Sequence, residues 1–309
     1  MNLKSWFRRQ ASRRLLVLLL FLLALLPSGL GASLHSQPAQ ETKPVRFVVI
    51  GDGGTGDKYQ ERVADQMLAY HDRYKYEFVI MAGDNIYPNG NPNDYRKKFE
   101  APYAALLARG VKFYATLGNH DAHFGNWEPA TKYPGFNMGD RRYYTFTKGD
   151  GLVQFFVLDS TTLSGGRRDQ DQLRWLQQEL RACSVPWKMA CFHHPIYSSG
   201  KTHGSDVRMR AILEPLLIEG GVRVAFSGHD HIYERVVPQH GIQYFVTGSA
   251  GQLRRGNIDS STGLTAKGND QVRHFIYVEI DKNELKFQAI SEDGEVIDSG
   301  TVLAPTQIP

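Results

Sequence analysis

Five short apolar runs in this 309-residue chain each end abruptly in a polar cluster, and that repeated ending restricts the fold more than any other feature. The runs are "VRFVVIGD", "EFVIMAGD", "VKFYATLGNHD", "WKMACFHH" and "VRVAFSGHDH". They finish in Gly51-Asp52, Gly83-Asp84, Gly118-Asn119-His120-Asp121, His193-His194 and Gly228-His229-Asp230-His231. Apolar runs of this length, rich in Val, Ile and Phe, read as strands buried on both faces. Amphipathic stretches at 58–73, 93–109, 169–182 and 206–219 read as helices; in the third, Leu173, Leu176 and Leu180 recur at helical spacing. Strand–helix alternation implies parallel strands, and ligands of such sheets bind just beyond the carboxyl ends of the strands. Five ends on one edge would collect two aspartates, an asparagine and several histidines. Seven of the eleven histidines fall in three groups in or after these ends, as His120 with His123, His193 with His194 and His203, and His229 with His231. One such histidine alone reads as a hydrogen-bonded structural residue; the joint pattern points to metal.

From residue 232 the pattern changes to strands with tight turns, "IQYFVTGS", "HFIYVEI", "ELKFQAI" and "GEVIDSGTVL". Together with "YYTFT" and "LVQFFVLDS" they predict an α/β domain with mixed sheets, whose helices and late strands cover the faces of the early sheet. No internal repeat appears, and residues 45–309 read as one domain. Before them, Lys4, Arg8, Arg9, Arg13 and Arg14 lead into an apolar run from Leu15 to Leu26. That layout predicts a signal peptide over 1–32, cleaved after Gly31 or Ala32, and a polar linker over 33–44. "SRRLLV" also resembles a twin-arginine signal, so export to a periplasmic or extracellular compartment is expected by that route or the general one. The run is shorter than the about 20 residues of a membrane span, so no stable anchor is expected after processing. Without the five basic residues the formal charge falls from +4 to −1, which removes the electrostatic argument for nucleic acid. Cys183 and Cys191 read as free thiols in or near buried elements. "GDGGTGDK" fails the phosphate-loop pattern at Asp57, and no G-x-S-x-G supports a nucleophilic serine.

In order, the five clusters resemble the signature of the calcineurin-like metallophosphoesterases. Within that superfamily the chain is most similar to the purple acid phosphatases of the short, tartrate-resistant type. The discriminating residue is Tyr87 in "GDNIY". Generic members carry a histidine ligand two residues after the first Asp, where this chain has Gly54; purple acid phosphatases use a tyrosine three residues after the second Asp instead. Read alone, Tyr87 would be packing.

The resemblance implies an α/β/β/α sandwich of two mixed sheets flanked by helices, and a dinuclear site. Asp52, Asp84, Tyr87 and His231 would hold metal one; Asp84, Asn119, His193 and His229 would hold metal two, with Asp84 bridging. In "FHHP" the family pattern selects His193 over His194. Two carboxylates, a phenol and an imidazole form a hard, anionic set suited to Fe³⁺, while one carboxylate, an amide and two imidazoles suit Fe²⁺, Zn²⁺ or Mn²⁺. The implied reaction is hydrolysis of a small phosphate monoester by metal-bound hydroxide at acid pH. Asn119, His120 and His203 would contact substrate, with His203 the better donor to the leaving alcohol, although its loop is about one residue longer than the family spacing. Asp121 reads either as orienting His120 or as a turn residue. Where the animal enzymes carry a long repressive loop this chain has only "SGGRRDQD", so activation by proteolysis is not implied. Rival readings are a phosphodiesterase, an iron redox catalyst and a scaffold without activity. Oligomeric state is not legible.

Overall fold

Val, Ile and Phe dominate the early strands because a strand covered on both faces rewards β-branched and aromatic side chains. In the computed structural model, which describes residues 43–305, β1 (Val45–Ile50), β2 (Phe78–Met81) and β3 (Lys112–Ala115) are adjacent and parallel. On the other edge of β1 the sheet continues antiparallel through β11 (His274–Ile280), β12 (Glu284–Ser291) and β13 (Val296–Leu303). A second, seven-stranded sheet has a parallel centre of β5 (Val153–Val157), β6 (Trp187–Cys191), β7 (Val224–Ser227) and β9 (Gln243–Thr247). Its antiparallel flanks are β4 (Tyr144–Lys148) on one side, and β8 (Tyr233–Val236) with β10 (Thr265–Asn269) on the other.

The sheets pack face to face. Phe47 of β1 stacks on Phe78 of β2 at 5.2 Å and meets Phe155 of β5 edge-on at 5.3 Å. All three are wholly buried, so Phe47→Ala would cost about 3–5 kcal/mol. Strand period two then separates two cores. Val153, Phe155 and Val157 point into the layer between the sheets, while Phe156 and Leu158 point outward. The outward set is covered by Leu176 and Leu180 of the helix Gln170–Ala182 and by Met209, Leu213 and Leu217 of the helix Val207–Glu219. The helix Lys58–Tyr74 lies against β11 and β12 of the first sheet. The layers are therefore helix, sheet, sheet, helix, as the resemblance implied. Asp57, Asp169 and Asp206 cap these three helices by accepting N–H bonds from the first turn, each worth about 1 kcal/mol.

Three expectations need correction. The late strands do more than cover a face: β11, β12 and β13 extend the first sheet itself, because β11 pairs directly with β1, and β8, β9 and β10 join the second sheet through β9 and β7, from which Phe245 meets Phe287 across the layer. Strands β8 and β10 were not foreseen: β8 is a four-residue strand and β10, "TAKGN", is mostly polar. The single helix expected at 93–109 is broken into a 3-10 turn, the five-residue π-helix Arg96–Glu100 and the short helix Ala104–Ala108. Pro102 explains the break. It lacks an N–H and its ring would collide with the carbonyl of Lys98, four residues back. The chain widens to a five-residue step, Ala101 N–H to Arg96 O, and the Lys98 carbonyl accepts from Gln60 Nε2 at 2.7 Å.

Cys183 and Cys191 are both free, with Cys183 half-buried. The expected signal peptide and nearly all of the linker lie outside the described residues. Among the described residues no helix is long and apolar enough to cross a membrane.

Candidate metal centre

The turn after each central strand is tight because its polar residue must leave the sheet at once. Asp52, Asp84 and His229 all adopt left-handed backbone, with φ of 56°, 50° and 70°. This region is costly for side-chain-bearing residues, and Asp, Asn and His tolerate it best. Hydrogen bonds hold them there. Asp52 N–H donates to Gly83 O at 3.0 Å, His229 N–H to Asp52 Oδ2 at 2.9 Å, and His120 N–H to Asp84 Oδ1 at 2.8 Å. The ends of β1, β2 and β3 from one sheet thus interlock with those of β6 and β7 from the other.

All seven expected ligands come together, in two groups that share Asp84. In the first, Tyr87 Oη lies 2.8 Å from Asp52 Oδ1, 3.1 Å from Asp84 Oδ2 and 3.2 Å from His231 Nε2. His231 Nε2 is also 3.3 Å from Asp52 Oδ1. In the second, His193 Nε2 lies 3.1 Å from Asn119 Oδ1, 3.2 Å from His229 Nδ1 and 3.3 Å from Asp84 Oδ2. His194 is turned away: its Nδ1 faces Ser160 Oγ at 2.9 Å, and that oxygen also accepts the N–H groups of His193 and His194.

These donor sets fit cations. One phenolic proton cannot serve two carboxylates and an imidazole at once. His193 Nδ1 donates to Ala82 O at 2.9 Å, so a neutral ring presents a lone pair at Nε2, surrounded by other acceptors. Burial alone would lower the pKa of His193, but Asp84 and Asp52 outweigh it and raise it to about 10. Burial would likewise raise Asp84, yet His193 and His120 hold it below the usual carboxylate range. The cluster draws positive charge into a buried place. Burial, with Asp52 and Asp84 beside it, keeps the Tyr87 phenol well above 10, so a phenolate there would need a bound cation beside it.

Gly54 and Tyr87 are linked physically. A Cβ on residue 54 would sit 1.8 Å from Asn85 O, so no side chain, and no histidine ligand, fits there. That close approach lets Gly54 O accept the Tyr87 N–H at 2.9 Å, and the Lys98 ammonium holds the Tyr87 carbonyl. Gly118 plays a related part: the space it leaves is taken by the Asp84 carboxylate, since its Cβ would lie 2.1 Å from Asp84 Oδ1.

His120 and His203 stand on opposite sides. The His120 ring lies 4.5 Å from Tyr87; its Nδ1 donates to Pro88 O at 2.5 Å, and its Nε2 is 3.9 Å from Asp84 Oδ2. The His203 ring lies 4.0 Å from His229, and burial lowers its pKa. His123 is exposed in the 3-10 turn His123–Gly125. Asp121 does not orient His120. Its buried carboxylate accepts N–H groups from Gly118, Asn85 and Ile86, tying the turn after β3 to the turn after β2. Sequence reasoning passed over Asp230, which accepts from Ser198 Oγ at 2.6 Å and Gly204 N–H at 3.0 Å and so fastens the loop that carries His203. The available signal was an acid lodged between two histidines, where no surface role was open to it. Ser160, which sets the His193-His194 turn, left none.

Comparison with known proteins agrees with this geometry. Residues 45–233 match the family model for calcineurin-like phosphoesterases. Purple acid phosphatase 17 of Arabidopsis thaliana is 29% identical over 73% of this chain and 74% of its own length. Human tartrate-resistant acid phosphatase type 5 is 25% identical over 82% of this chain and 89% of its own. Two solved structures share the fold at a TM-score of 0.72. The purple acid phosphatase PPD1 of yellow lupin seeds is 19% identical and covers 85% of this chain and 54% of its own. GAP50, the anchor in the inner membrane complex of Plasmodium, is 22% identical and covers 85% of this chain and 89% of its own. With its strand-end clusters assembled into one buried Asp/His site and its relatives among the purple acid phosphatases, the chain belongs to the calcineurin-like phosphoesterase family.

Proposed function

We propose that the chain is an acid phosphatase acting on phosphate monoesters at a site for two unlike metal ions. The observation that carries this reading is the Tyr87 oxygen between Asp52 Oδ1 and Asp84 Oδ2. Asp52, Tyr87 and His231 would hold Fe³⁺, and Asn119, His193 and His229 would hold Fe²⁺, Zn²⁺ or Mn²⁺, with Asp84 shared. When bound, such a pair supplies a strong nucleophile from water at acid pH and neutralises charge on the phosphate. The remaining work belongs to side chains. Asn119 and His120 border the place where the phosphate would sit, and the Pro88 carbonyl fixes the His120 ring so that Nε2 turns toward Asp84. His203, on a loop fastened by Asp230, would give a proton to the leaving oxygen.

The scaffold reading, suggested by the fold shared with GAP50, is disfavoured by the complete ligand set. Hydrolysis of p-nitrophenyl phosphate and of bis(p-nitrophenyl) phosphate from about pH 4 to about pH 8 tests the proposal. Faster monoester cleavage on the acid side is expected. Preference for the diester would replace it with the phosphodiesterase reading, and inertness toward both in metal-loaded protein would end it.

A further inference from the structure

A cavity of about 350 Å³ adjoins the metal centre, with Asn119 and His194 in its wall. Arg142, Arg167 and Trp127 also line it, and among its described lining residues there is no carboxylate. Two guanidinium groups bordering one small space favour an anion there, although Asp159 offsets part of the Arg142 charge from behind. Arg142 is not there by accident of surface placement. Arg142 is clamped from behind by the wholly buried Asp159, with Nε at 2.8 Å and Nη2 at 2.5 Å from Oδ2. Its guanidinium also lies 5.1 Å from the Trp127 ring. Asp159 is itself fixed through its N–H to Gln172 Oε1 at 2.8 Å. Arg167 comes from "SGGRRDQD" and is held by one bond, Nη1 to Thr161 O at 3.1 Å. Guanidinium forks match phosphate and carboxylate oxygens in pairs, and a fork already immobilised loses little freedom on binding.

We infer that Arg142 and Arg167 form a subsite for a second anionic group, so that the centre favours phosphate esters whose leaving group carries another phosphate or a carboxylate. The inference rests on the phosphatase reading for its placement beside the leaving group. Arg167→Gln is the variant of choice, because removing Arg142 would leave Asp159 buried without its partner. Arg168→Gln removes the same charge from the same loop outside the cavity and serves as the control.

Binding of propylenediphosphonate, phosphonopropionate and propylphosphonate to metal-loaded protein is measured by calorimetry, with turnover of p-nitrophenyl phosphate in parallel. The second anion is expected to tighten binding about tenfold in the wild type and in Arg168→Gln. In Arg167→Gln the advantage should shrink to within about twofold. A gain confined to the diphosphonate assigns the subsite to phosphate, and one confined to phosphonopropionate assigns it to carboxylate. No gain in the wild type, or equal loss in both variants, overturns the inference while leaving an active phosphatase intact. A tenfold gain in a protein that turns over no ester sinks the phosphatase reading and keeps the subsite.

Discussion

The two halves of the metal centre share Asp84 yet are built by opposite means. The half around Tyr87 gathers anionic oxygen, and its phenol sits where two carboxylates forbid ionisation without a bound cation. The half around His193 gathers an amide and two imidazoles, with one ring pinned through Nδ1 to a backbone carbonyl. Each half also has its own attendant histidine, His120 over Tyr87 and His203 over His229. Under the proposed assignment, the difference is what would let one fold select two unlike ions: the strand ends supply the positions, and net ligand charge would decide which ion each position prefers.

The largest expected effect comes from erasing what the halves share. Asp84→Asn keeps the shape and an acceptor for the His120 N–H but removes the common charge. Both ions should be lost and phosphatase activity should fall on the order of a thousandfold, with melting of the metal-free protein little changed. Retained activity and two bound metals would break the division outright.

Separating the attendant histidines comes next. His203→Asn should slow hydrolysis of alkyl phosphates about a hundredfold, and p-nitrophenyl phosphate far less, since that leaving group needs no proton. The sign with pH follows from burial. A proton donor whose pKa is lowered loses its proton below the ordinary histidine value, so the wild-type rate should decline as pH rises through that lowered pKa. In His203→Asn the decline should flatten. His120→Asn should raise KM and leave the decline in place. Identical pH profiles for the two variants would erase the distinction between the halves.

The smallest effect tests the link between Gly54 and Tyr87. Gly54→Ala forces a Cβ against Asn85 O and should destabilise the protein by about 1–3 kcal/mol, a fall of several degrees in Tm. Metal binding at the Tyr87 half should weaken and at the His193 half persist. Equal weakening of both would show that Gly54 serves the whole site rather than one side.

Much of this was legible because strands declare themselves where burial on both faces leaves no choice, as in "VRFVVI" and "FVIM". The cluster was legible for a related reason: its aspartates, asparagine and histidines follow such runs, whereas Tyr87, three residues beyond Asp84, stood out only through the family resemblance. What stayed hidden depends on contacts distant in sequence. Whether β11 would cover β1 or pair with it is a matter of register and edges, invisible in either segment alone. The roles of Asp121, Asp230 and Ser160 need neighbours more than 25 residues away to be seen. The break at Pro102 was local and readable, and the periodicity of its flanks masked it.

The central claim is that the Tyr87 half holds ferric iron. Metal content and the visible absorption spectrum of the intact isolated protein test it together, in the wild type and in Tyr87→Phe. The account predicts one iron and one divalent ion per chain, and a phenolate-to-iron absorption that disappears in Tyr87→Phe. A colourless, fully active protein holding zinc alone, or an absorption that survives the loss of the Tyr87 hydroxyl, would contradict it.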